Sequence, residues 1–351
     1  MSQRFLINKF NEWRRRKEPL ALVTVVATEG STYSKAGRHI LIRSTGEHVG
    51  LVSGGCLEGD LAEHAENSIN TGDSQLITYD MRDDADQIWG MGVGCNGLIE
   101  VLVQKLSYEE NWEPFKTLAN AIASPKVSIA SMVIESEDPK IPVGSLGILD
   151  SNNKFISGKE LPAPTKHLPC ISNINSKKIL SWQIDPWPRL LLLGGGPDAE
   201  PVCNMAINLG WKVTVVDHRA TLIQSNGFIN ADEKVLLEPN ELSLKIKLEE
   251  FSACVVMSHH LETDLVYLQQ LAKSFSATDF KYIGVLGPSE RRLKLLDQLT
   301  DIPSNFTKFL RGPVGLDIGA KSPETIALSL LGEIQAVHAQ RSGGPITSTN
   351  I

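Results

Sequence analysis

Four short apolar runs in the second half of the chain constrain its fold more than any other feature: Leu190–Leu193, Lys212–Val216, Ala253–Met257 and Tyr282–Leu286. Each is continuous rather than alternating in hydrophobicity, and a helix-length segment follows each. A strand that is apolar along its length is buried on both faces, as in a parallel sheet covered by helices. A weaker strand candidate, Lys234–Leu237, lies between the second and third runs. Directly after the first run comes Gly194-Gly195-Gly196-Pro197-Asp198-Ala199, a G-x-G-x-x-A sequence opening a helix. Gly194 permits the tight turn, Gly196 lets backbone approach a pyrophosphate, and the small Ala199 lets helix and strand pack closely. The next strand ends in Asp217, where a dinucleotide fold keeps its ribose-binding carboxylate. These features together predict a Rossmann-like parallel-sheet domain over residues 189–340.

In an open α/β sheet, ligands bind outside the carboxyl ends of the strands. Here those ends read Gly194-Gly195-Gly196, Asp217-His218-Arg219, Ser258-His259-His260 and Gly287-Pro288-Ser289. The candidate binding residues are therefore Gly194, Gly196, Ala199, Asp217, His218, Arg219, Ser258, His259, His260 and Gly287. Backbone N–H groups at the helix start favour an anion, and Arg219 suits a phosphate. Pro197 removes one of those donors. The adjacent histidines are placed to contact ligand or metal, or one of them simply caps the helix beginning near Glu262. NAD(P) is one occupant of such a crevice, but a fold alone does not choose its ligand.

The first half has a different grammar. Leu20–Ala27, Ile40–Arg43, Val49–Ser53, Gln75–Asp80, Leu98–Leu106, Val127–Ile134 and Val143–Leu149 are strand candidates. Leu57, Leu61, Ala65 and Ile69 recur at helical spacing, with Gly72 as the stop. Residues 1–150 thus read as a mixed α+β domain, which makes the whole chain an α/β protein. An N-terminal helix carries Phe5, Leu6, Phe10 and Trp13 and ends in Arg14-Arg15-Arg16-Lys17, basic residues that complement its dipole. Residues 151–188, with Pro162, Pro164, Pro169, Pro186 and Pro188, read as a linker holding a short strand or two. The last helix is expected from Ser322 (N-cap) and Pro323 to His338, with 341–351 as a flexible tail. No internal repeat is visible.

Two glycine-rich loops in the first half carry a cysteine each. Ser53-Gly54-Gly55-Cys56-Leu57-Glu58-Gly59 places a thiol where a strand turns into a helix, a position that eases thiolate formation and anion contact. Gly90-Met91-Gly92-Val93-Gly94-Cys95-Asn96-Gly97 repeats the theme. Glycine density lets a loop backbone approach a ligand closely. Ser53, Gly54, Gly55, Cys56, Glu58, Gly94 and Cys95 are the candidates here; the bland alternative is that cysteine is a small residue in a crowded turn. Cys170, Cys203 and Cys254 read as structural. Five widely spaced cysteines are not a disulfide framework, and no CxxC pair suggests structural zinc. Zinc on Cys56, Cys95 and a histidine finds no support in the spacing. A reducing compartment, by default the cytoplasm, is expected.

The chain's net charge of −7 argues against nucleic acid or an anionic membrane as partner. No apolar run reaches transmembrane length, and the N-terminus lacks signal-peptide character.

These motifs resemble a known family. The run from Val25 to Glu58, with Ala27-Thr28-Glu29-Gly30-Ser31-Thr32, Gly37-Arg38 and Ser53–Gly59, is similar to the N-terminal domain of the XdhC/CoxI family, the xanthine dehydrogenase accessory factors. Gly92–Gly97 resembles its second glycine–cysteine motif, with Asn96 where glycine is commoner. Gly194–Pro201, Val213–Arg219, Met257–Asp264, Gly284–Arg292 and Arg311–Ala320 resemble its C-terminal Rossmann domain. Pro197 stands where many members have histidine, which suggests a distinct branch and a different client.

The resemblance implies an accessory factor that binds molybdenum cofactor, protects it and helps its sulfuration and insertion into a molybdenum hydroxylase such as xanthine dehydrogenase. A cysteine desulfurase as sulfur donor and a homodimer are implied with it. On this reading no residue is catalytic. Cys56 and Cys95 would touch the metal or dithiolene end, and the Rossmann crevice would hold a phosphate or nucleotide portion. An NAD(P)-dependent oxidoreductase using Asp217 and a histidine is the competing expectation, although hydride transfer has no need of paired glycine–cysteine loops.

Overall fold

A computed structural model describes residues 2–82, 97–224, 226–278, 280–300 and 302–346. The second glycine–cysteine loop, with Gly94 and Cys95, lies outside the described residues. The chain divides into two compact units, Met1–Pro186 and Trp187–Ile351.

The first unit holds two five-stranded antiparallel sheets. Its first sheet has the order β3-β2-β1-β5-β4, from β1 (Leu20–Gly30), β2 (His39–Arg43), β3 (His48–Val49), β4 (Gln75–Asp80) and β5 (Gly97–Leu106). Strand β1 is buried from Leu20 to Val26 because both of its faces are covered. On one face Ala21, Val23 and Val25 meet Leu61, Ala65 and Ile69 of helix α2 (Glu58–Thr71). Truncating a core leucine such as Leu61 to alanine costs about 2–5 kcal/mol. Helix α1 (Gln3–Trp13) buries Leu6, Ile7, Phe10 and Trp13, and sets Phe10 edge-on to Phe115 of α3 (Phe115–Ala123) at 4.9 Å. Gly72 ends α2 at φ +83°, as its sequence predicts. The expected strand Val49–Ser53 stops at Val49, because Gly50 (φ +107°), Gly54 and Gly55 turn the chain away.

The segment expected as a linker carries more structure than its composition suggests. Strands β8 (Phe155–Gly158), β9 (Cys170–Ile174) and β10 (Lys177–Ile184) join β6 (Ser128–Ser136) and β7 (Leu146–Asp150) in a sheet of order β8-β7-β6-β10-β9. The two outer strands lack the apolar periodicity of a buried strand because they are edges, β8 mostly exposed and β9 half-exposed. Strand β10 sits inside the sheet, paired with β6 from Lys177 to Ile184, and Ser181 and Ser131 share a buried hydrogen bond of 2.8 Å. The prolines stand between or after strands, where no ladder N–H is needed. Cys170 accordingly lies on a strand.

The second unit is one parallel five-stranded sheet of order β13-β12-β11-β14-β15. Its strands are β11 (Arg189–Leu193), β12 (Lys212–Asp217), β13 (Glu233–Leu236), β14 (Ala253–Val256) and β15 (Tyr282–Val285), and the weak candidate is the edge strand β13. Its helices are α4 (Ala199–Asn208), α5 (Ala220–Ile223), α6 (Leu242–Lys245), α7 (Leu261–Ser274), α8 (Ser289–Gln298), α9 (Ser304–Phe309) and α10 (Pro323–His338). Two cores form, one on each face. Leu190 and Leu192 face Val202 and Cys203 of α4 and Leu330 and Ile334 of α10, while Leu191 and Leu193 face Tyr267, Leu268 and Leu271 of α7. That division is why the strands read as continuous apolar runs. Ser322 caps α10 in a reciprocal box with Thr325, and Pro323 opens it. Residues 341–346 are exposed and carry no helix or strand.

Candidate functional site

The Rossmann sheet reverses its strand order at β11, which lies between β12 and β14; their carboxyl ends meet at the expected crevice. Gly194 adopts φ +123°, and a Cβ there would lie 2.5 Å from the Met257 carbonyl oxygen, so only glycine lets β11 leave the sheet beside β14. Ala199 is fully buried at the start of α4.

Asp217 stands at the end of β12, only 1% exposed. Its Oδ1 accepts the Arg219 backbone N–H (2.8 Å) and Nε–H (2.9 Å). Its Oδ2 accepts the Gly195 N–H (2.7 Å) and Arg219 Nη2–H (2.8 Å). Burial alone would raise its pKa, but Arg219 and the Gly195 amide hold it below the usual carboxylate range. A carboxylate offers about four acceptor directions. All are committed, so a ribose diol would have to displace these donors. The Asp217–Arg219 pair locks the fingerprint turn to β12. His218 Nδ1 lies 3.6 Å from Asp217 Oδ1, beyond a hydrogen bond. Beneath the pair, the Tyr267 hydroxyl is buried with no hydrogen-bond partner among the described residues. Burial and the Asp217 charge push that phenol's pKa upward.

At the end of β14, Ser258 is held by a carboxylate that the strand-end motifs do not include, and the Ser258 oxygen in turn accepts the His260 N–H (3.2 Å). Asp264, fully buried on α7, accepts the Ser258 N–H (3.1 Å) and Oγ–H (2.5 Å). Its other oxygen accepts Nε–H (3.1 Å) and Nη2–H (2.5 Å) of Arg291 on α8. Gly287 (φ +125°) makes room for that arginine, since a Cβ there would lie 2.6 Å from Arg291 Cδ. Asp264 and Arg291 are 27 residues apart and meet only because β14 and β15 are neighbours. Both fall within family-like runs of the sequence, but nothing in the local sequence pairs them. His260 is the N-terminal boundary residue of α7, and its side chain makes no capping bond.

His259 projects over the glycine turn. Its φ of +64° is left-handed, a conformation that costs a non-glycine residue energy and clusters at functional positions. Its ring lies 3.1 Å from where a Gly196 Cβ would stand, and its Nε2 is 3.2 Å from Asp198 Oδ2. A group approaching the Gly196 backbone therefore meets a His259–Asp198 pair that is half exposed on the histidine side.

In the first unit, Glu58 opens α2 and is 3% exposed. Its carboxylate accepts N–H groups of Val52 (2.9 Å), Ser53 (3.1 Å) and Gly55 (2.9 Å) and the Ser53 hydroxyl (2.8 Å). The Ser53 oxygen in turn accepts the N–H groups of Cys56 (3.0 Å) and Leu57 (2.8 Å). Burial works to raise the Glu58 pKa, but these hydrogen bonds win and hold it low. Ser53 and Glu58 thus form the inside of the loop. Outside it are exposed Gly54 and Gly55, both with positive φ, and the half-exposed free thiol of Cys56. Among the described residues, a Cβ on Gly55 would meet nothing within 4 Å. Cys203 and Cys254 are buried, the former with its thiol pushed up to about 12, as structural cysteines should be.

The described flanks of the second loop reach the same end of β1. Gly30 pairs with Gly97, Met81 N–H donates to the Gly97 carbonyl (3.0 Å), and Arg82 bridges Asp80 and Glu29. The first loop is tied to the segment after Gly30 by the Ser34 hydroxyl on the Leu51 carbonyl (3.0 Å) and by Tyr33 beside Gly54. Among the described residues, no group of three or more His, Cys, Asp and Glu could hold a metal ion, and no helix is long and apolar enough to cross a membrane.

Comparison with known proteins agrees with this arrangement. Residues 13–80 match the model of the XdhC and CoxI family, and residues 190–334 match the XdhC Rossmann domain. A Bacillus subtilis (strain 168) protein named as a probable xanthine dehydrogenase subunit is 34% identical over 325 residues, covering 91% of this chain and 93% of that protein. The chain belongs to the XdhC/CoxI family. The Escherichia coli (strain K12) molybdenum cofactor insertion chaperone PaoD is 24% identical over 320 residues, 90% of this chain and 82% of PaoD. A Bacillus halodurans crystal structure described as a xanthine dehydrogenase superposes with a TM-score of 0.76, at 26% identity and 98% coverage of both chains. The expected fold, a mixed α/β chain with a C-terminal parallel Rossmann-like sheet, is thus shared with a solved relative.

Proposed function

We propose that this XdhC/CoxI protein is a cytoplasmic accessory factor that binds molybdenum cofactor as cargo, protects it, and helps its sulfuration and insertion into a xanthine dehydrogenase-type molybdenum hydroxylase. Support comes from its relatives, one named for xanthine dehydrogenase and one for molybdenum cofactor insertion. The observation that carries the reading is the Ser53–Glu58 lock, which fixes a glycine turn from within and leaves Cys56 free at its surface. Thiolate is a soft ligand suited to the metal or dithiolene end of such a cargo. Cys95 is proposed in the same role from its own glycine loop. A phosphate or nucleotide portion is assigned to the Rossmann crevice at Gly194, Gly196 and His259, where a helix start favours anions.

A cysteine desulfurase as sulfur donor and a homodimer are part of the same proposal. An NAD(P)-dependent oxidoreductase is the weaker reading, because Asp217 already spends its acceptor directions within the protein. The test compares Cys56→Ala and Cys95→Ala with the parent for pterin retained after anaerobic purification. Both variants should fold as the parent does and lose pterin. Normal retention in both would sink the proposed cysteine roles.

A further inference from the structure

The first unit also holds a cavity of about 230 Å3 that the proposed cargo loop does not use. Its polar lining comes from Ser2, Gln3, Tyr33, Ser34, Arg38 and His39, and no carboxylate or thiol lines it among the described residues. Its walls are built with care. Gly37 and Gly50 adopt φ +84° and +107°; a Cβ on Gly37 would lie 2.7 Å from the Trp182 ring, and one on Gly50 2.6 Å from the His39 carbonyl oxygen. The Arg38 backbone is pinned by bonds from Val25 N–H to its carbonyl (2.8 Å) and from its N–H to the Lys35 carbonyl (3.2 Å).

Arg38 stands apart from the other arginines of this sheet. Arg43 is paired with Glu18 and Glu47, and Arg82 with Glu29 and Asp80. Among the described residues, the Arg38 guanidinium makes no ion pair and no side-chain hydrogen bond, although it borders a cavity. His39 adds no charge. Burial and the Arg38 charge lower its pKa to about 3, and its Nδ1 is engaged by the Thr24 hydroxyl at 3.2 Å. Among the described residues the cavity thus has a net positive lining, and Arg38, an exposed residue at its edge, keeps its planar donor free of protein partners. Arginine's fork matches the oxygen spacing of phosphate. The volume is below the roughly 300 Å3 at which pockets for whole small molecules begin, so it suits a headgroup.

We propose that this cavity is an oxyanion site for a phosphate-class group, either inorganic phosphate or a phosphate monoester, anchored by Arg38 with Tyr33, Ser2 and Gln3 as neighbouring donors. The site stands whether or not the protein carries molybdenum cofactor. The experiment titrates inorganic phosphate and phenyl phosphate separately into the full chain by calorimetry. The parent and the Arg38→Ala, Arg38→Lys and Cys56→Ala variants are compared, with circular dichroism as the check on folding.

Saturable binding is expected in the parent. Arg38→Ala should weaken it by about tenfold or more, the scale of one charge-assisted hydrogen bond, and Arg38→Lys should weaken it less. Cys56→Ala should leave it unchanged, which separates this site from the cargo loop. Binding of both probes identifies a free-anion site, and binding of phenyl phosphate alone identifies a monoester site. Absence of saturable binding by either probe to about 10 mM, a range well beyond useful affinity, overturns the proposal. So does binding that survives in Arg38→Ala, because the anion would then sit elsewhere.

Discussion

Replacing Glu58 by glutamine keeps the size of the side chain and removes the charge that organises the Cys56 loop. The carboxylate accepts four hydrogen bonds, two at each oxygen. A glutamine oxygen can serve either the Val52 and Ser53 amides or the Ser53 hydroxyl and Gly55 amide, and its NH2 then faces the other pair. Ser53 cannot compensate, because its oxygen is already accepting from Cys56 and Leu57. With the glutamine oxygen on the buried Val52 and Ser53 amides, the Ser53 hydroxyl loses its acceptor and the N–H of exposed Gly55 turns to water, so Glu58→Gln should destabilise the first unit by roughly 1–3 kcal/mol. Urea unfolding of parent and variant measures this, and alkylation of Cys56 followed by mass spectrometry should run faster in the variant. The pH dependence has a definite sign. The folded-state pKa is depressed, so the stability Glu58 contributes is present above its ordinary value of 4.5 and is lost as pH falls through the folded value. That acid limb should vanish in the variant. A stability change under about 0.5 kcal/mol with unchanged alkylation would refute the loop-lock reasoning, since that is the scale of an ordinary surface substitution.

Other residues give independent checks. His39 is neutral in the fold with a pKa near 3, against 6.5 when exposed, so stability should fall steadily as pH drops from about 6.5 towards 3. His39→Gln should flatten that slope in thermal melts, and an unchanged slope would assign it to other groups. Arg291→Ala strands the fully buried Asp264 carboxylate and should cost about 3–5 kcal/mol in urea unfolding, while Arg291→Lys, which keeps a cation beside it, should cost less. If Arg291→Ala is as stable as the parent, Asp264 is not the anchor of β14. Gly194→Ala should destabilise by more than about 1 kcal/mol because of its positive φ and the Met257 carbonyl, whereas Gly59→Ala, in helix α2 with open space around it, should be neutral or stabilising. Equal melting temperatures for the two would contradict the backbone argument.

What the sequence made legible follows from burial. Strands covered on both faces announced themselves as apolar runs, and β11, β12, β14 and β15 appeared within a residue of their predicted ends. Helix α10 was framed by its own cap and proline. Edge strands β8 and β9 carry no such pattern, and the prolines around them give a linker's composition to a segment whose β10 pairs with β6. The site divides the same way. Ser53, Cys56 and Glu58 stand out in one motif, but that Glu58 faces inward and Cys56 outward depends on hydrogen bonds no spacing reveals. Asp217 is legible at its strand end, yet its capture by Arg219 and Gly195 is a property of the folded turn. Asp264 and Arg291 stayed hidden because their contact is made by the order of strands in the sheet.

The most direct test is to purify the protein anaerobically from cells that make molybdenum cofactor and to measure bound molybdenum, pterin and NAD(P) together, in parent and Cys56→Ala. Molybdenum and pterin in equal, stoichiometric amounts, lost in the variant, are the predicted result. Nicotinamide cofactor without pterin in the parent would contradict the account and make the cysteine loops structural.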